Sequence, residues 1–89
     1  MIALPAPRIR LERLELILSD QTMSELILYR ADFTVNEIFV GGVVTYRDDK
    51  DRLVVAIPTD GSDGALTPSM QLALDRKFKL LVRYLERGP

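Results

Sequence analysis

The feature that most constrains the fold is the spacing of apolar residues in the C-terminal part of the chain. At about 100° of rotation per residue, these residues converge on one stripe of a helix, as expected of a helix that packs on a core. The stripe consists of Met70, Leu74, Phe78, Leu81 and Leu85. Thr67 offers an N-cap hydroxyl, and Pro68 suits the first helical position, where its missing N–H leaves no bond unmade. The sequence therefore predicts a helix over 67–87 that ends before Gly88.

The chain before residue 59 alternates apolar and polar residues with the two-residue period of half-buried strands. The predicted strands cover 8–18, 23–35, 38–46 and 53–57. In the second strand one parity is mainly apolar, as in a sheet with one buried face. That parity comprises Ile27, Tyr29, Ala31, Phe33 and Val35. The order β-β-β-β-α predicts an α+β fold, with a small antiparallel sheet packed against one C-terminal amphipathic helix.

Two interruptions of the alternation indicate irregular strands. The apolar parity of segment 8–18 changes near Glu12 and Arg13, which predicts a β-bulge, because a slip of one residue moves side chains to the other face. A helix over 8–18 is the competing interpretation, since Leu, Arg and Glu favour helices. Gly41 and Gly42 fit a tight hairpin or a bend, and we favour a bent strand that continues to Tyr46.

Length and composition bound the organisation of the chain. With 89 residues, of which 47% are hydrophobic and 28% charged, it is expected to form a single domain, 1–89. This domain is divided into an irregular N-terminus at 1–7, the antiparallel sheet at 8–58, a loop at 59–66 and the helix at 67–87. No apolar run approaches the length of a signal-peptide core or a membrane span, so a cytoplasmic protein without a membrane partner is expected.

The chain has neither histidine nor cysteine. Their absence removes the usual zinc ligands, disulfide bonds and the side chains that most often activate nucleophiles. Ser62 and Ser69 thus have no histidine partner, and the segment from residue 60 lacks the ligand spacing of a calcium loop. We therefore expect no enzymatic activity, no catalytic residue, no metal, no cofactor and no small-molecule substrate.

A domain this short often gains stability from association, which predicts a homodimer or a higher homo-oligomer.

Opposite the apolar stripe, the predicted helix carries a row of basic residues at spacings of three and four. The row consists of Arg76, Lys79, Arg83 and Arg87. Because the net charge is −1, a polyanion must be held by such a local row rather than by bulk charge. Guanidinium groups suit phosphate oxygens, so this row and the hairpin cations Arg47, Lys50 and Arg52 are candidate nucleic-acid-binding residues. The row also fits a solvated helix face whose cations complement the helix dipole.

Three further apolar residues, Leu72, Leu80 and Tyr84, flank the basic row rather than joining the core stripe. They are candidates for an oligomer interface, and packing beneath a loop is the alternative. They support a second functional hypothesis, a protein-interaction or assembly module that uses these residues and strand edges without binding nucleic acid.

Two segments resemble strands of the stage V sporulation protein G family, also called septation regulators. Segment 33–40 reads FTVNEIFV and segment 53–58 reads LVVAIP, and Pro68 followed by an amphipathic helix is similar to the family's ending. The resemblance implies an antiparallel sheet with a C-terminal helix, a dimer joined through sheet edges, and a bacterial regulator that binds DNA or RNA.

The sequence departs from this family in the loop after Pro58. Family members usually have a basic segment there, whereas this chain has Thr59, Asp60 and Gly61. The stretch before the helix is shortened to 65–68, and the hairpin at 41–52 is longer than in the family. The family's nucleic-acid site therefore does not carry over to that loop, and the helix row and the hairpin cations remain the candidates.

Overall fold

The computed structural model describes residues 6–17, 26–58 and 66–88. Its elements are strands β1 (Ile9–Leu16), β2 (Leu26–Val35), β3 (Ile38–Arg47) and β4 (Leu53–Ala56), followed by helix α1 (Pro68–Arg87). The strands form one antiparallel sheet in the order β1-β2-β3-β4, which confirms the predicted α+β fold with β-β-β-β-α order. The described residues leave out residue 18 of the first predicted strand, residues 23–25 of the second and the predicted turn between them. They also leave out residues 1–5 of the irregular N-terminus and residues 59–65 of the predicted loop.

Strand β1 is bulged, as the change of parity predicts. Its pairing with β2 changes register between Leu11 and Arg13, which leaves Glu12 as the extra residue. The bulge returns the apolar side chains on both sides of it to the same sheet face, the one that α1 packs on. The competing prediction of a helix in this segment is wrong.

Strand β3 bends at its paired glycines. Gly42 has a φ of 70°, and its N–H donates to Asp32 Oδ1 at 2.9 Å, where the register with β2 shifts. A Cβ atom on Gly41 would lie 2.9 Å from the Phe39 ring. The predicted bent strand is confirmed: the positive φ of Gly42 favours glycine, and a side chain at position 41 would require the exposed Phe39 ring to shift.

The core lies between one face of the sheet and α1. Its buried apolar side chains are Ala31, Phe33, Val35, Val40, Val43, Leu66, Leu74, Phe78 and Val82. The rings of Phe33 and Phe78 meet edge to face, with centroids 5.2 Å apart and an interplanar angle of 64°. This contact joins the C-terminal part of β2 to the middle of the helix.

Helix α1 begins and ends at the predicted residues. The Thr67 hydroxyl accepts a hydrogen bond from the Met70 N–H at 3.2 Å, and Pro68 is the first helical residue. Gly88, with a φ of 75°, ends the helix and donates its N–H to the Tyr84 carbonyl at 3.1 Å. Within the part of the chain that the structure describes, no helix combines the length and the apolarity needed to cross a bilayer.

The predicted apolar stripe of α1 is wrong at its C-terminal end. Leu85 is 38% exposed, whereas Val82, outside the predicted stripe, is fully buried. Gln71, near the N-terminal end of the helix, lies at an angle between those of Phe78 and Val82 and is nevertheless exposed. The sheet covers only the middle of this 20-residue helix, so an inward angle near either end does not lead to burial.

The hairpin between β3 and β4 is organised by one carboxylate. Asp48 Oδ1 accepts the backbone N–H groups of Lys50 at 2.9 Å and Arg52 at 2.8 Å, and Oδ2 accepts Arg52 Nε–H at 3.1 Å. These bonds, above all the one from the Arg52 backbone, lower the pKa of the Asp48 carboxyl below its ordinary value. Asp48 is therefore a structural residue of the tip.

Acid is expected to weaken the fold partly through Asp48. Because its pKa is lower in the folded than in the unfolded chain, its stabilising contribution is complete at neutral pH and is lost as the pH falls through the folded value. Asp48→Asn should lower the free energy of unfolding at neutral pH, and the difference from wild type should shrink in acid. Urea unfolding across the acidic range measures this, with the exposed neighbour Asp49→Asn as the control. A difference that stays constant with pH would contradict the assignment.

Candidate nucleic-acid interface

Three of the four predicted helix cations lie on the face of α1 that points away from the sheet. Arg76, Arg83 and Arg87 are exposed and form no ion pair with any described carboxylate. At a rise of about 1.5 Å per residue, the seven- and four-residue intervals between them correspond to roughly 10 Å and 6 Å along the helix axis. Flexible arginine side chains spaced in this way can reach successive phosphates of a nucleic-acid backbone.

The fourth predicted helix cation, Lys79, has a different environment. Its Nζ lies 3.2 Å from Asp75 Oδ2 one turn earlier, and both side chains are half-buried on the flank of the helix. The pair follows the favourable order of an acidic residue four positions before a basic one. Lys79 therefore lies beside the outward face rather than on it.

The predicted hairpin cations also differ in their environments. Arg47 binds both carboxylate oxygens of Glu86 at 2.9 and 3.0 Å, and donates to the carbonyl of Asp51 at 3.2 Å. Arg52 is engaged by Asp48 at the hairpin tip. Only Lys50 is exposed without an ion pair to a described residue.

The two carboxylates of α1 are both engaged beside the outward face. Asp75 pairs with Lys79, and Glu86 pairs with Arg47 at the end of β3. The outward face consequently carries cations without a carboxylate from the helix itself. Lys77 is also exposed, but at about 100° per residue it lies roughly 100° from Arg76, on the flank of the helix opposite Lys79. The sequence prediction therefore did not place it in the row.

The three predicted interface residues do not form one patch. Leu80 and Tyr84 are 62% and 64% exposed, and lie one helical turn apart beside the arginine row. Leu72 is also exposed, but it lies two turns before Leu80 on the opposite side of that row. The exposed apolar area of the helix is thus centred on Leu80 and Tyr84.

The sheet face opposite the helix is charged but balanced. Glu12 accepts hydrogen bonds from Thr34 Oγ1 and Arg10 Nε, both at 2.6 Å, and these bonds, Thr34 first, lower the pKa of its carboxyl. Glu15 binds Arg30 on the same face. Because cations there already have carboxylate partners, this face offers less net positive charge than the outer face of α1.

A shallow concavity of about 500 Å³ opens beside this charged face, and Phe39 and the exposed Arg8 and Arg10 contribute to its lining. Arg10 is held by Glu12, and Arg8 lies 3.9 Å from Glu37. The concavity therefore also combines each cation with an acidic neighbour.

Comparison of the chain with protein-family models, curated proteins and solved structures gives no match. The resemblance to septation regulators stays a prediction.

Proposed function

We propose that this chain is a small homodimeric regulatory protein that binds DNA or RNA through the outward face of α1. In this proposal Arg76, Arg83 and Arg87 contact phosphates of the nucleic-acid backbone, and the exposed Lys77 adds positive charge on the flank of the helix. The observation that carries the proposal is the engagement of both helix carboxylates, Asp75 and Glu86, beside that face.

Segregation of charge explains how a chain with a net charge of −1 can attract a polyanion. Phosphates near the outward face meet several cations within about one Debye length, while the acidic groups of the helix are already neutralised by partners. Contacts of this kind carry no base identity, so the proposed protein has weak sequence preference.

Three of the predicted binding residues are less available for a phosphate contact. Lys79, Arg47 and Arg52 already have carboxylate partners, so a phosphate contact would have to replace an existing ion pair. Lys50 retains its place as an exposed cation at the hairpin tip. A cytoplasmic location remains part of the proposal, since the lack of cysteine agrees with a reducing compartment.

Salt titration tests the proposal directly. If Arg76, Arg83 and Arg87 each neutralise one phosphate, log K should fall against log salt concentration with a slope of about −3 per helix on duplex DNA. Arg76→Glu combined with Arg83→Glu should reduce binding at low salt by roughly tenfold or more and bring the slope near −1. Fluorescence anisotropy with single- and double-stranded DNA and RNA measures both quantities.

The control variant carries the same change of charge elsewhere. Arg8→Glu combined with Lys50→Glu also replaces two exposed cations, but neither lies on α1. It should weaken binding much less than the helix variant. Equal losses would show that overall charge, rather than this helix face, governs binding, and no binding at low salt would refute the proposal.

The exposure of Leu80 and Tyr84 favours a second candidate, a protein-interaction or assembly module. Large apolar and aromatic side chains on a helix surface are typical of contacts with another protein. A chain that binds no nucleic acid at low salt, but loses a protein contact when these two residues are replaced, would have this second function.

A further inference from the structure

Strand β1 lies at an edge of the sheet that the described residues form. It is the first strand of the sheet, and its outer side pairs with no described strand. It is eight residues long and contains no proline, whereas β4 at the other edge has only four residues and is followed within two residues by Pro58. Long edges of this kind are templates for pairing with another strand.

The backbone directions of β1 follow from hydrogen bonds at its two ends. The Arg8 carbonyl accepts the Asn36 N–H at 2.9 Å, and the Ile17 N–H donates to the Leu28 carbonyl at 3.1 Å, so both residues point their amide groups toward β2. Amide direction alternates along a strand, and the bulge absorbs one residue. The residues whose backbone N–H and C=O groups point away from β2 are therefore Ile9, Leu11, Leu14 and Leu16. These four are called the outward-pointing residues of β1.

The side chains of these four residues lie on the face of the sheet that carries α1, opposite residues of β2 that face the helix. The helix packs mainly over β2 and β4, so it leaves part of β1 uncovered. Leu11 and Leu16 are 41% and 61% exposed for this reason. An apolar strip thus continues from the core to the open edge.

We propose that β1 pairs antiparallel with β1 of a second copy of this chain, and that the bulge sets the register. In this register Ile9 of one copy lies opposite Leu16 of the other, and Leu11 lies opposite Leu14. All four are outward-pointing residues, so each such pair exchanges two backbone hydrogen bonds. The bulges of the two copies meet at the two-fold axis, and neither strand has a residue in excess.

The same register also pairs opposite charges. On the sheet face that points away from the helices, Arg10 of one copy lies against Glu15 of the other, and Glu12 lies against Arg13. The Arg10 and Arg13 side chains are ion-paired within their own strand but more than two-thirds exposed, which leaves room beside each for a carboxylate of the second copy. Each then lies between a carboxylate of its own strand and one of the second copy.

Neighbouring registers are unfavourable. A slip of one residue places apolar side chains opposite charged ones on both sides of the bulge. A slip of two residues places Arg10 against Arg13 in one direction, or Glu12 against Glu15 in the other, and like charges in direct opposition are destabilising. The pattern of β1 is therefore complementary to itself in one register.

The inference refines the homodimer of the proposed function, but it rests on β1 alone and does not require nucleic-acid binding. The resemblance to septation regulators implies a dimer joined through sheet edges, but it specifies neither the strand nor the register. The β1 interface also differs from the interface predicted at Leu72, Leu80 and Tyr84.

The two-fold axis stands perpendicular to the joined eight-stranded sheet, which puts both helices on the same side.

Charge exchange between two variants tests the register in the absence of nucleic acid. Arg10→Glu alone and Glu15→Arg alone each oppose like charges twice, so the dimer dissociation constant should rise roughly tenfold or more. An equimolar mixture of the two variants opposes unlike charges at both positions and should restore the dimer. Light scattering at micromolar concentration measures the mass, and circular dichroism checks that each variant is folded.

Cross-linking provides a second measurement that does not depend on affinity, because the chain has no cysteine of its own. Arg10→Cys with Glu15→Cys in one chain should give a disulfide-linked dimer under mild oxidation, since these positions adjoin across the interface but are too far apart within a strand. Arg10→Cys alone should not cross-link, since the two copies of residue 10 lie five positions apart along the paired strands. A monomeric wild type, a mixture without rescue, or equal cross-linking of the two variants would overturn the inference.

Discussion

Replacing Phe78 with alanine is expected to lower the free energy of unfolding by about 3–5 kcal/mol. Phe78 is fully buried, and its ring meets that of Phe33 across the boundary between helix and sheet. The substitution removes this contact and leaves a cavity that the neighbouring side chains fill only in part. A domain of this length is expected to have a stability of only about 4–13 kcal/mol, so much of it would be lost. Urea unfolding followed by circular dichroism measures the loss.

The matched control for this prediction is Leu85→Ala. Leu85 belongs to the apolar stripe predicted from sequence, but it is partly exposed beyond the region that the sheet covers. Its truncation should cost less than about 1.5 kcal/mol, because its apolar surface is only partly removed from water by folding. Losses of similar size in the two variants would show that the end of the helix packs as tightly as its middle.

These two residues also illustrate how far periodicity predicts the fold. The spacing of apolar residues gives the angle of each side chain around α1, and the cap residues give its ends, which is why both agree with the structure. The extent of the sheet beneath the helix depends on strand pairing between distant segments. The burial of Val82 and the exposure of Leu85 therefore could not be derived from helical spacing alone.

Strand irregularities were predictable where the sequence marks them. The parity change near Glu12 and the paired glycines Gly41 and Gly42 both correspond to register shifts in the structure. A third shift, between Ile27 and Tyr29, has no such mark, because residues 26–29 are all apolar and show no alternation whose parity could change. A bulge without glycine or a change of parity is set by pairing with the neighbouring strand.

The same distinction applies to the candidate binding residues. The pairing of Asp75 with Lys79 follows the favourable four-residue spacing and could have been derived from the sequence. The pairing of Arg47 with Glu86 joins the end of β3 to the end of α1, and only the folded arrangement brings them together. The predicted row thus identified the face of α1 that points away from the sheet, while long-range pairing determined which cations outside that face are engaged.

Thr45→Val is expected to raise the free energy of unfolding by about 1–2 kcal/mol, an unusual direction for a substitution in a core. Thr45 is fully buried on the helix-facing side of β3, and its hydroxyl has no hydrogen-bond partner in the described part of the chain. A buried hydroxyl without a partner has lost its bonds to water, so folding carries an uncompensated cost. Valine has nearly the same shape and strong strand preference, and it removes that cost.

Thr34→Val is the matched control, because its hydroxyl does have a partner. Thr34 Oγ1 donates to Glu12 at 2.6 Å on the solvent side of the sheet, so the same substitution there removes a hydrogen bond to a charged group. It should leave stability unchanged or lower it. Thermal unfolding separates the two cases, since about 1 kcal/mol corresponds to a shift of roughly 4–8 °C in a domain of this size. A neutral or destabilising Thr45→Val would mean that the Thr45 hydroxyl is hydrogen-bonded in the folded protein. Its removal would then lower stability in the same way as the removal of the Thr34 hydroxyl.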